Sequence, residues 1–184
     1  SASFANSVSN ASIVDITFDG TNIKSDYTTY SAVIGGYNND FNYIDNVKVI
    51  NTNINHVILN NADDTKTYML GGMFANNFGG IINKAYVHGL EINAGYIGAT
   101  SNVFNNIGAI IGYSDYDSYI YDSYADISSF TYHCNAGSVP SASSLPYLYL
   151  ANTAKANLVD VVYALDTTKL YIEKGTTKSA QTYT

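Results

Sequence analysis

The chain has 184 residues, of which 46% are hydrophobic and 12% charged, with a net charge of −7. That length suits one domain, and that apolar content is enough for a packed core, which excludes a disordered chain. All 8 basic residues are lysines, scattered from Lys24 to Lys178, so nothing clusters the cations needed to displace counterions from nucleic acid, and an acidic surface suits neither anionic lipid nor uronic-acid polymers.

In chain order, Ser1 to Ala11 is small and polar. It opens Ser1-Ala2-Ser3 without Met, as expected of a mature product. Asn10-Ala11-Ser12 is a glycosylation sequon. Ile13-Val14-Asp15-Ile16-Thr17-Phe18 then alternates apolar and polar residues, with Ile23 following, and predicts a strand with one buried face. Ala32 to Asn39 is a short apolar strand ending in Gly35-Gly36 and two Asn. Ile44 to Val49 with Ile54 repeats the first pattern, and Asn55 to Tyr68 reads as an edge loop. Met69 to Asn77 is a second glycine strand, Ile82 to Val87 with Ile92 a third alternating segment, and Asn93 to Asn106 a second loop. Gly108 to Asp115 and Ile120 to Ala125 with Phe130 repeat the pair once more. The lone Cys134 excludes an intrachain disulfide and reads as a small buried hydrophobe, with an intermolecular bridge as the alternative. Asn135 to Pro146 breaks the pattern, which marks about 135–150 as an insertion or partial cap. Leu158 to Tyr163 with Thr168 is the last repeat. The tail carries Leu170-Tyr171-Ile172 and a polar run to Thr184, which could lend a strand to a neighbour. The longest apolar stretches, such as Ile107 to Ile111, are too short to cross a bilayer.

The alternating segments begin at Ile13, Ile44, Ile82, Ile120 and Leu158, spaced by 31, 38, 38 and 38 residues. Fixed spacing at this length marks a repeat architecture. Three columns line up. They are Ile16/Val47/Ala85/Ser123/Val161, Phe18/Val49/Val87/Ala125/Tyr163 and Ile23/Ile54/Ile92/Phe130/Thr168. One unit cannot bury its own apolar face, whereas stacked units can, because like residues fall on like. Gly and Asn supply the corners. The expected fold is all-β, a parallel β-helix (β-solenoid) with about 4–5 coils spaced about 4.8 Å apart and long edge loops. The expected organisation is a single domain over 1–184, with a repeat core at about 10–130 and a final coil and tail at 157–184.

Gly108 to Tyr113 followed by Ile120-Tyr121-Asp122-Ser123-Tyr124-Ala125-Asp126 resembles the GLUG repeat of bacterial surface proteins, as do Gly71 to Asn77 with Ile82 to Gly89 and Ala32 to Asn38 with Ile44 to Val49. The resemblance covers roughly residues 10 to 130 and departs at Ile127, where a late glycine is expected. It implies a β-helix-like fold and cell-surface display, and it carries no catalytic residue.

No catalytic constellation stands out. His56, His88 and His133 share no repeat position and no metal-ligand spacing, so they read as exposed or loop histidines. Asp115, Asp117 and Asp122 lack the spacing of a calcium loop and read as solvated turn residues, with calcium the one cofactor left as an alternative. The absence of Arg also argues against a pectin-degrading enzyme. The tyrosines carry more. Tyr86 and Tyr124 share one repeat position, Tyr43 and Tyr119 another, Tyr37 and Tyr113 a third. Plain β-propensity and cross-strand stacking account for such rows, and the alternative is that all six form a contact surface that stacks on sugars or on another protein. The expectation is a non-catalytic extracellular or cell-surface protein, structural or adhesive, assembling end to end with copies of itself or with other solenoid segments. A carbohydrate-binding module is the alternative, with a glycan or host-surface ligand as partner and neither nucleic acid nor membrane insertion.

Overall fold

The computed structural model describes residues 3, 5–8, 10–25, 28–39, 42–59, 68–97, 104–115, 118–134, 156–165, 170–174 and 177–180. Among them the chain is all-β. The strands are β1 (Ala5–Val8), β2 (Ser12–Val14), β3 (Thr17–Asp19), β4 (Asn22–Ser25), β5 (Tyr30–Ala32), β6 (Gly35–Asn38), β7 (Tyr43–Ile50), β8 (Asn53–Leu59) and β9 (Tyr68–Gly71). They continue with β10 (Phe74–Phe78), β11 (Ile81–Ile97), β12 (Phe104–Gly108), β13 (Ile111–Asp115), β14 (Ser118–Cys134), β15 (Ala156–Leu165), β16 (Leu170–Lys174) and β17 (Thr177–Ala180).

Three sheets result, parallel throughout except where β17 joins β16. One orders β1, β6, β10 and β13; a second orders β5, β9 and β12; the third and largest runs from β2–β4 through β7–β8, β11 and β14 to β15–β16. Strand neighbours are therefore equivalent positions of successive repeats rather than consecutive strands. The register follows the sequence columns. Ile13 pairs with Ile44, Ile44 with Ile82, Ile82 with Ile120, and Ile120 with Leu158. Phe18, Val49, Val87, Ala125 and Tyr163 form a second line. The third line runs Ile23, Ile54, Ile92, Phe130 and then Leu170. Leu170, not the expected Thr168, closes it, because the last repeat needs two more residues to reach the same rung; Thr168 itself lies outside the described residues.

The inward columns are dry. Ile44, Val47, Val49, Ile54, Ile82, Val87, Ile92 and Ile120 all have 0% exposure. They join Leu70, Phe74, Ile107 and Ile111 of the other two sheets in one apolar cluster. Burying one such side chain stabilises by about 1.5–3 kcal/mol, so the repeated column is the main source of stability. Ser123 interrupts a column without leaving a polar orphan. Its hydroxyl accepts from the Ala85 N–H at 3.0 Å and donates to the Tyr121 carbonyl at 2.6 Å.

The corners are set by left-handed residues. Asp15, Asn46, Lys84 and Asp122 occupy one repeat position with φ between 44° and 56°. Gly20, Asn51 and Gly89 occupy a second, with φ of 68°, 52° and 68°. Each lets the strand change direction while its neighbours keep their register. A left-handed non-glycine costs about 1–2 kcal/mol, and amide ladders offset part of it: Asn46 Nδ2 donates to Asp15 Oδ1 at 2.6 Å, and Asn51 Nδ2 to Asp19 Oδ1 at 3.1 Å.

The glycine strands differ from their sequence reading. Val33-Ile34, Gly72-Met73 and Ala109-Ile110 are bends between two sheets, not strand interiors. Gly71 falls on Ala32 and Gly108 in register, and none of the three is a left-handed corner. Gly71 is there for space: a Cβ on it would lie 1.9 Å from the Phe74 carbonyl oxygen. The two expected edge loops also begin as strand. Asn55–Leu59 and Asn93–Ile97 pair with each other rung by rung, and the far ends of the two expected loops, Tyr68 and residues 104–106, already belong to strands β9 and β12; residues 60–67 and 98–103, the Asn135 to Pro146 break and the side chain of Cys134 lie outside the described residues. The tail strand β17 pairs antiparallel with β16 of its own chain rather than standing free for a neighbour.

A buried amide ladder runs beside the core. The Ala11 N–H donates to Asn42 Oδ1, Asn42 Nδ2 to Asn38 Oδ1, and Asn38 Nδ2 to Asn77 Oδ1, each at 2.8 Å. Asn77 Nδ2 then donates to the Gly80 carbonyl at 3.2 Å. These asparagines are 0–2% exposed. Buried amides are tolerated only when satisfied, and here bonds within a repeat alternate with bonds that cross to the next.

Candidate functional site

Among the described residues the exposed large apolar side chains lie on the largest sheet: Val14, Ile16, Tyr43, Ile81 and Tyr86, at 37–41%. Val14, Tyr43, Ile81 and Tyr86 point outward because their strand neighbours Ile13, Ile44, Ile82 and Ala85 occupy inward positions; Ile16 belongs to the inward column of Val47 and Ala85 and is exposed at its open first rung.

Tyr43, Ile81 and Tyr119 pair in register on successive strands and form an outward ridge. Tyr43 and Tyr119 thus share a column as expected, but Ile81 lies between them. Tyr119 stacks instead on Tyr121 of its own strand, ring centroids 5.8 Å apart and planes 8° from parallel.

A second outward line runs Lys48, Tyr86, Tyr124. The Tyr86 and Tyr124 rings stack at 5.4 Å and 22°, and Tyr86 lies 5.9 Å from the His88 ring.

Asp126 ties the end of this line together. Its Oδ1 accepts the Gly89 N–H at 2.8 Å, and its Oδ2 accepts the Tyr124 hydroxyl at 3.0 Å and the His88 Nδ1–H. Burial pushes the Asp126 carboxyl up, but the Gly89 amide, His88 and Tyr124 together outweigh it and hold the group below the usual carboxylate range. The same bond to Asp126, with burial second, raises the Tyr124 phenol. Asp126 can reach Gly89 because the fourth repeat is one residue shorter here: Val87 pairs with Ala125, but Leu90 pairs with Ile127. The glycine missing at Ile127 is thus a missing corner, and a carboxylate takes over its neighbour's amide.

Tyr37 and Tyr113 lie elsewhere, on the four-stranded sheet, half-buried and separated by Asn76. The Tyr37 hydroxyl donates to the Tyr30 hydroxyl at 2.7 Å, with the rings edge to face at 4.8 Å. Burial first, then that bond, pushes the Tyr30 phenol up to about 12. Asn76 is 7% exposed, and its Oδ1 has no hydrogen-bond partner among the described residues. The six tyrosines therefore divide into four on one sheet and two on another.

His56 departs most from its sequence reading. It is 0% exposed, not a surface or loop residue. Nε2–H donates to the Thr28 carbonyl at 2.7 Å, and Nδ1 accepts from the Ser31 hydroxyl at 2.6 Å. The Tyr68 ring stands edge-on at 6.1 Å. Burial pulls the imidazole down to about 4, against a smaller opposing pull from the Thr28 carbonyl. The ring is neutral at neutral pH, and the adjacent Ser31, also 0% exposed, has no room to meet a substrate.

The repeat spacing was the signal for the residues that sequence reading missed. His88 and Asp126 are 38 positions apart, as are the core anchors. The same step from His56 leads to Ala94 and Tyr132, both buried, which marks His56 as an inward position. Among the described residues no group of three or more His, Cys, Asp or Glu side chains could hold a metal ion. Comparison with protein-family models, curated proteins and solved structures finds no match to this chain.

Proposed function

We propose that the chain is a parallel β-solenoid of about five stacked rungs that serves as an extracellular structural or adhesive surface module of the GLUG-like kind. The observation that carries this reading is the single line of equivalent residues, Ile13 through Leu158, paired in register across all five repeats. Such a ladder gains stability from every added rung and lends itself to continuation by like segments. Its outward face offers a ridge of Tyr43, Ile81 and Tyr119, the amphipathic surface expected of an adhesive contact. Immunolabelling of intact cells that make the protein tests the reading. Surface labelling is expected; a pool reached only after lysis would sink it.

The parallel rings of Tyr119 and Tyr121 favour a second reading, a carbohydrate-binding module. A glycan array separates the two: loss of a bound glycan on Tyr119→Ala supports sugar recognition, and an empty array removes it.

A further inference from the structure

β17 departs from the rest of the molecule. Among the described strands every other pairing is parallel. β17 alone runs antiparallel, with Tyr171 opposite Ala180 and Lys174 opposite Thr177. Since β14 already holds one edge of β16, β17 takes the other. It is four residues long and carries Lys178, the short, lysine-bearing form by which sheets blunt an edge. β15 pairs with β14 on one side, and no described strand covers its other edge.

The opposite end of the same sheet is built differently. β2 and β3 pair only with β7, and β4 with β8. Val14 and Ile16 stand 41% exposed there, and Ile13, Phe18 and Ile23 are only partly covered. Continuing the internal register beyond the last repeat puts Ile13 of an incoming copy beside Leu158, Ile16 beside Val161, Phe18 beside Tyr163 and Ile23 beside Leu170. Apolar falls on apolar in every column, by the rule that already joins one repeat to the next. The β4 end of that contact needs the edge of β16 that β17 occupies.

We infer that the outer edges of β15 and β16 are a docking edge for β2–β4 of a second copy of this chain, and that β17 is the resident competitor closing half of it. This rests on the end-to-end part of the reading above. Strand addition at a sheet edge satisfies main-chain groups and gains specificity from alternate side chains. In the joined register Asp15 falls beside Asp160, so association strengthens as salt screens that pair.

The test compares the full chain with one ending at Lys174, by light scattering and negative-stain microscopy across a salt series. The shortened chain is expected to associate into end-to-end rods at about tenfold lower concentration than the full chain, a shift of about 1.4 kcal/mol, and more so at high salt. Ile16→Lys in the shortened chain is expected to restore the monomer. Lys178→Pro in the full chain, which puts a proline inside β17, is expected to mimic the shortening should the shortened chain not fold. A folded shortened or Lys178→Pro chain that stays monomeric wherever the full chain does overturns the inference, and so does association indifferent to Ile16→Lys. If the full and shortened chains associate equally, the competitor role fails while the end-to-end reading stands. If neither associates, this inference fails, and surface labelling decides the wider reading separately.

Discussion

The strands β2–β4 and the Ile82–Ala94 stretch of β11 carry the same apolar columns, yet only the second buries them fully. Ile82, Val87 and Ile92 are 0% exposed, whereas Ile13, Phe18 and Ile23 only pack against the core from its rim. In a third column Ala85 is 2% exposed and Ile16 41%. The sequences differ little; the neighbours differ. β11 has strands on both sides, while β2–β4 have one. Burial here is a property of the sheet rather than of the single strand, and stability should fall off from the middle repeats toward the first.

The most damaging way to break that comparison is at a strand end beside a bend. Gly71→Ala sets a methyl group 1.9 Å from the Phe74 carbonyl oxygen and 2.7 Å from the Gly112 nitrogen. Because both are backbone, a loss of about 3 kcal/mol or more is expected in chemical denaturation. Ile82→Ala should cost about 2–5 kcal/mol, and Ile13→Ala, at the same column position on the rim, less than half as much. Equal losses at the two sites would refute the graded stack.

Acid should sharpen the comparison next, through His56 between β4 and β11. Its folded pKa of about 4 lies below the usual 6.5. Between those values the unfolded chain binds a proton that the folded chain refuses. Stability therefore falls as pH drops from about 6.5 to 4, by up to about 3 kcal/mol, and is level above that window. Thermal melts across pH should show this slope in the wild type and lose it in His56→Gln. Asp126 adds a second, lower phase. Its folded pKa is depressed, so its contribution is present above the ordinary carboxylate value and is lost as pH falls through the folded one. Asp126→Asn should remove that phase alone.

Smaller effects are expected at the surface. Gly20 is left-handed with open space around it, so Gly20→Ala should cost only the backbone strain, about 1 kcal/mol. Tyr124→Ala should cost about 0.5–1 kcal/mol through the lost Tyr86 stack, measured as a shift of the denaturation midpoint.

Much of the parallel strand register was legible in the sequence because the repeat spacing and the two-residue strand period agree. Five anchors and two complete columns fall where one step of 31 and three of 38 residues place them. The third column slipped at its last member because spacing alone does not reveal that the final repeat is two residues longer before Leu170. The corners were half legible. Gly and Asn turn residues were expected, but Lys84 at φ 50° carries no such mark, and its conformation is imposed by the rungs on either side. The direction of β17 was illegible, because a four-residue polar strand pairs either way and only its landing on β16 decides. In the surface, shared repeat position located the Tyr86–Tyr124 pair, whereas Ile81 and Asn76, which separate the other two tyrosine pairs, came from the intervening repeat and broke what looked like continuous rows. His56 was misjudged as a single residue, although its place in the repeat is inward.

The in-register ladder also makes the gene's arithmetic unusual. Excising Ile82 to Tyr119 would join Ile81 to Ile120, and every column of the second repeat would meet the same column of the fourth. Excising one residue within β11 would instead turn alternate side chains to the wrong face. Lineages carrying this chain should therefore gain and lose whole 38-residue cassettes more readily than single codons, with length polymorphism in steps of one rung.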